Sequence, residues 1–146
     1  MSGFRVVSIN TSAKKGEKKR PVGHARLAED LGIEGDAHAG PGHRQVSLLA
    51  QESIERMKAK GLKVGPGDFA ENVTTDGIEL AALPVGTRLT IGDGIELEVT
   101  QIGKECHNRC AIFKQAGDCV MPREGIFAKV IRGGTLKPGD EGWIKS

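Results

Sequence analysis

Hydrophobic and polar positions alternate most cleanly from Arg88 to Ile102. Leu89 and Ile91 lead into a Gly92-Asp93-Gly94 turn, and Ile95, Leu97 and Val99 lead out of it. A period of two on both sides of a glycine-bearing turn predicts a hairpin with one buried face. Its outgoing strand delivers Gln101 to Gly103 to the segment that follows. Phe4 to Asn10 (FRVVSIN), rich in β-branched residues, predicts a first strand. Val46, Leu48 and Leu49 mark a buried strand, and a helix follows from about Gln51 to Lys60, with Ile54 and Met57 as its apolar stripe and Gly61 as its stop. A short strand is expected near Phe69 to Thr74, with a turn at Asp76-Gly77. Ile126 to Ile131 reads as a further strand and the stretch from Gly142 as a short last one. Many short strands, turns rich in Gly and Pro, and one convincing helix predict a mainly β protein. The expected fold is a β-barrel or strongly curved sheet with one or a few short helices.

At 146 residues, with neither repeat nor linker, the chain reads as a single domain over residues 1–146. Four Phe, one Trp and no Tyr supply few faces for stacking bases, and a net charge of +2 is too small for bulk phosphate-backbone binding, so no nucleic-acid partner is expected. No apolar run approaches the roughly 20 residues that span a bilayer. The start, MSGFRVVSIN, lacks the pattern of a signal peptide. A cytoplasmic protein with no membrane partner is the expectation. There thiols stay reduced, and an odd count of three cysteines argues against a purely structural disulfide set.

Charge and thiols sharpen the picture. Lys14, Lys15, Lys18, Lys19 and Arg20 crowd one loop, which reads as a solvated, mobile surface loop or, more sharply, as a cationic arm over an anionic ligand. Gly32 to Gly42 must be a loop, with His38 in it and His43 and Arg44 just after it, at the mouth of the Val46 strand. All three cysteines, Cys106, Cys110 and Cys119, fall between Val99 and Asp140, among Lys104, His107, Arg109, Lys114 and Arg123. Three chemistries compete there. Zinc or iron-sulfur binding would use Cys106, His107, Cys110 and Cys119, although one C-x₃-C pair departs from the usual paired spacing. A redox thiol pair lacks both C-x-x-C and a βαβ context. A reactive thiolate that carries sulfur or ligates a soft metal fits best, because neighbouring Lys, Arg or protonated His lowers a thiol pKa. Plain packing is the alternative for any free cysteine, most of all for Cys119.

The succession GIEGDAHAG, RQVSLL, GDFAENVTT, LPVGTRLTIG, LEVTQIGKECH and GDCVMPREGIFAKVIRGGTLKPGD resembles a small stand-alone MOSC domain, the domain named for the C-terminal part of molybdenum cofactor sulfurases. The resemblance covers about Val6 to Trp143. It implies a β-barrel-like domain and a cysteine that shuttles sulfur or ligates the metal of a molybdenum or tungsten pterin cofactor of molybdopterin type. Cys106 fits the family's spacing from Val99-Thr100-Gln101, and Cys110 fits the Arg-Cys-apolar context of amidoxime-reducing relatives. Asn72 resembles the family's Asn after a Phe. An anionic pterin needs charge-assisted donors, for which the candidates are Lys14, Lys15, His38, His43, Arg44, Asn72, Lys104, His107, Arg109 and Arg123. The implied role is cofactor binding, or sulfur delivery as a cysteine persulfide, with a cofactor-biosynthesis protein, sulfur donor or molybdoenzyme as partner. A small reductase of N-hydroxylated substrates with an external electron donor, and a structural zinc-binding interaction module, are the alternatives.

Overall fold

The computed structural model describes residues 3–14, 19–42, 44–61, 63–103 and 124–145. In chain order these form β1 (Gly3–Thr11), β2 (Arg20–Val22), β3 (Ala25–Ala28), β4 (Gly32–Ile33), β5 (Val46–Ala50), α1 (Gln51–Ala59), β6 (Val73–Asp76), β7 (Arg88–Ile91), β8 (Ile95–Ile102), β9 (Ile126–Arg132), β10 (Gly134–Leu136) and β11 (Glu141–Ile144). The main sheet runs β11-β7-β8-β9-β5-β6-β1-β2, and β11 also pairs with β1. That extra pairing closes seven strands into a barrel, which removes the open edges a curved sheet would otherwise expose. A second small sheet, β10-β3-β4, lies beside it.

The barrel closes around an apolar interior to which its strands contribute inward-facing side chains. In the predicted hairpin Leu89 pairs with Leu97 and Ile91 with Ile95. All four are buried in the same core cluster as Val6, Ile9, Val46, Leu48, Val73 and Ala128. The intervening residues face out and pair by charge, Arg88 Nε lying 2.9 Å from Glu98 Oε1. β5 and β6 run parallel, with Leu48 opposite Val73, so the chain must cross over between them. The crossover carries α1, which lies against both strands and buries Ile54 and Met57, the stripe read from the sequence.

Several expectations need correction. The strand near Phe69 to Thr74 begins only at Val73 and runs through Asp76, which still pairs with Arg5, and the turn expected at Asp76-Gly77 begins at Gly77, which takes φ +100°. Phe69 and Ala70 belong to a turn, in which Ala70 N–H bonds the carbonyl of Gly67 and Ala70 takes φ +64°. The loop from Gly32 to Gly42 opens with β4, whose Gly32 and Ile33 pair with Ala28 and Leu27. Gly32 is required there. Its φ is +114°, and a Cβ would run into the carbonyl oxygen of Gln45.

Candidate functional site

The end of β1, the start of β5 and the start of β6 meet through buried polar side chains rather than apolar ones. Asn72 is fully buried. Its Oδ1 accepts from the backbone N–H of Ser47 at 3.0 Å and from Ser47 Oγ at 3.2 Å. Its Nδ2 donates to the carbonyl of Asn10 at 3.2 Å. Asn10, also fully buried, accepts from Ser8 Oγ at 2.7 Å and donates from Nδ2 to Glu71 O and Thr74 Oγ1, both at 3.2 Å. Alternation explains this placement. On β1 and β6, Ile9 and Val73 face the core, so Ser8, Asn10, Asn72 and Thr74 fall on the outer side. There Gly67 comes close enough that a Cβ on it would lie 3.4 Å from Asn10 Cβ, and every buried amide needs a partner.

Next to this cluster lies an ion pair that the lysine-rich loop concealed. Lys19 Nζ sits 2.8 Å from Asp36 Oδ1, and both side chains have 0% exposure. Lys19 Nζ also donates to Ser12 Oγ at 3.1 Å. Asp36 accepts from the backbone N–H of Ser12 at 3.1 Å and of His38 at 3.0 Å. Burial by itself would raise the Asp36 carboxyl. The hydrogen bonds from Lys19, from the Asn72 amide and from the two backbone groups outweigh it and hold the pKa below the usual carboxylate value. The 63–72 loop clamps the lysine from outside: Lys19 N–H donates to Gly67 O at 2.9 Å, and a Cβ on Gly67 would run into the carbonyl of Lys19. That loop rests on Glu71, whose Oε2 accepts from Gly67 N–H at 3.0 Å and Thr74 Oγ1 at 2.8 Å. Its Oε1 is buried and has no partner among the described residues, and burial pushes this carboxyl up.

On the same outer side, the exposed Arg44 crosses the face of buried Phe127, its guanidinium carbon 5.2 Å from the ring centroid. Its Nε donates to Gln101 Oε1 at 3.0 Å. Gln101 Nε2 in turn donates to Gly103 O at 2.8 Å. Gly103 is the last described residue before the thiol segment, and its N–H bonds Gly125 O at 2.6 Å across the root of that segment.

The candidate residues therefore divide. Lys14 is exposed, just beyond β1, and its carbonyl accepts from Ser12 Oγ at 3.1 Å. His38 has 32% side-chain exposure, with Nδ1 3.9 Å from Asp36 Oδ2. Arg44 is fixed on Phe127, and Asn72 is buried with both amide atoms engaged. Lys15, His43, Lys104, Cys106, His107, Arg109, Cys110, Cys119 and Arg123 lie outside the described residues. A groove of about 740 Å³ is lined instead by Ala50, Glu52, Ser53, Arg56, the turn Gly77–Ala81 and Glu124. None of the residues expected at the site lines it, and its Glu124 is tied to Ser53 Oγ at 2.7 Å and to Arg56. Among the described residues no three His, Cys, Asp or Glu side chains form a metal-binding group. Sequence reasoning missed the half-buried Ser12 and the buried partners Asn10, Lys19, Asp36, Ser47 and Glu71. The one legible signal was polar residues ending otherwise apolar strands.

A family model for the MOSC domain matches residues 34–142. The chain belongs to the MOSC domain family. This family is associated with molybdenum cofactor binding. The fold is similar to that of YuaD from Bacillus subtilis, with TM-score 0.80 and 19% identity over 96% of this chain and 94% of that one. It is also similar to YiiM from Geobacillus stearothermophilus, with TM-score 0.72 and 18% identity over 98% and 75% of the two chains. YiiM from Escherichia coli gives TM-score 0.70 and 20% identity over 99% and 70%. At such identities these likenesses concern the fold. No curated protein matches the sequence significantly. Among the described residues of this MOSC domain, no helix is long and apolar enough to cross a membrane.

Proposed function

We propose that this MOSC domain binds a molybdenum or tungsten pterin cofactor, or carries sulfur to it as a persulfide of Cys106 or Cys110. The observation that carries the reading is the guanidinium of Arg44, held at the root of the thiol segment by Phe127 and Gln101. An anionic, hydrogen-bonding ligand would suit the guanidinium of Arg44, and the half-buried imidazole of His38 and the exposed ammonium of Lys14 are further candidate donors. Arg44, His38 and Lys14 would hold the phosphate and polar edges of the pterin, together with Lys15, His43, Lys104, His107, Arg109 and Arg123. Asn72 enters as the residue that ties β1, β5 and β6 together, because its amide is already engaged. The bound cofactor would supply the redox-active metal. The chain would supply charge and the thiolate.

In the sulfur-carrying role, the cysteine thiolate attacks the outer sulfur of a donor persulfide and the donor's thiolate leaves. One neutral sulfur moves and no electrons are gained or lost. The partner is then a sulfur donor, a cofactor-biosynthesis protein or a molybdoenzyme. The test is protein purified without oxygen, read by mass spectrometry for persulfide and pterin and by elemental analysis for molybdenum and tungsten. Cys106→Ser or Cys110→Ser should abolish cofactor retention or persulfide formation. Both variants keeping both properties would refute the reading.

A further inference from the structure

The geometry points to Gln101 as a positioning residue that aims the Arg44 guanidinium at an anion, an inference that rests on the anionic-ligand reading above. Both ends of one amide are used. Gln101 Oε1 takes the Nε–H of Arg44 at 3.0 Å, and Nε2 is tied to the carbonyl of Gly103 at 2.8 Å. The chain cannot rotate this amide without breaking one of the two bonds, so the inner edge of the guanidinium is locked. Phe127, opposite Gln101 in the β8–β9 pairing, locks its plane from below. An arginine offers five N–H donors in a rigid fork. With Nε spent inward, the two Nη groups form the edge that remains for a bidentate contact with a tetrahedral oxyanion such as a terminal phosphate.

The pairing also sets a preference. An exposed arginine without such supports loses rotamer freedom when it grips an anion, whereas Arg44 has already lost it. The bulge in the β8–β9 ladder between Val99 and Gln101 is what brings Gln101 opposite Phe127. The strand irregularity therefore has a role in aiming this pair.

The experiment follows the Nε–H resonance of Arg44 by nitrogen-15 NMR during titration with inorganic phosphate. The wild-type chain should show a dispersed resonance that shifts with phosphate. Gln101→Met should collapse that resonance toward the average of free arginines and weaken phosphate binding about tenfold, the usual scale for one hydrogen bond to a charged group. Gln101→Glu keeps the oxygen acceptor, so its resonance should stay dispersed while the added negative charge abolishes phosphate binding. Arg44→Ala should abolish binding outright. Wild-type affinity in Gln101→Met, Gln101→Glu or Arg44→Ala overturns the inference, as does a wild-type chain that does not bind phosphate. Phosphate binding that depends on Arg44 and Gln101, in a chain that never carries pterin or persulfide, would leave the anion site standing and remove the cofactor reading. Cofactor retention indifferent to Gln101→Met would do the reverse.

Discussion

Removing the ammonium of Lys19 is the most informative single perturbation of this fold. In Lys19→Met the stem is kept and only the charge is lost, leaving Asp36 buried with 0% side-chain exposure and without its cation. Breaking a buried pair from one side costs about 3–5 kcal/mol. Asp36 still accepts from the backbone N–H groups of Ser12 and His38, so the low end of that range, about 3 kcal/mol, is expected. For a chain of this size that lowers Tm by roughly 6–12 °C. The deficit should depend on pH. The Asp36 carboxyl is held below its ordinary value of 3.8, so its pairing contributes stability above that value and loses it as pH falls through the folded pKa. In the variant the carboxylate can relieve its burial by taking a proton, so the gap to wild type should close in acid. Calorimetric melts at neutral pH and near pH 4, with Lys19→Met/Asp36→Asn recovering part of the loss, would test this. A Tm within about 2 °C of wild type at neutral pH, less than 1 kcal/mol on the same scale, would refute the account of a buried charged pair.

Other expectations follow from the same geometry. Glu71 has a raised pKa, so its protonated form supports the fold below its ordinary value of 4.5 and that support is lost as pH rises through the folded pKa. Glu71→Gln should therefore melt higher than wild type at pH 8 and about equally at pH 4; an equal or lower Tm at pH 8 would count against it. Gly67→Ala places a side chain against the Lys19 carbonyl at a φ of +90° and should cost more than about 1 kcal/mol in chemical denaturation. Leu97→Ala, at a fully buried barrel position, should cost about 2–5 kcal/mol by the same assay. A small loss there would mean the barrel interior can collapse around the gap.

The sequence by itself determined the elements whose signal is local. The β7–β8 hairpin, α1 with Ile54 and Met57, and the apolar run of β9 were legible because side-chain alternation and helical spacing are read over a few neighbours. The family was legible from the order of its motifs. Only the tertiary structure decided what depends on residues far apart in the chain. β3, β4 and β10 are too short to carry a period and exist because Leu27 meets both Gly134 and Ile33. Closure of the barrel rests on β1 pairing β11 across nearly the whole chain. Lys19 was read among solvated lysines, since nothing local distinguishes it from Lys18. Its burial comes from Asp36, 17 residues away, and from the loop carrying Gly67. Arg44 and Gln101, 57 residues apart, were brought together by strands that the sequence described one at a time. A charge's surroundings are set by which strands become neighbours, and that is a property of the closed barrel rather than of any one segment.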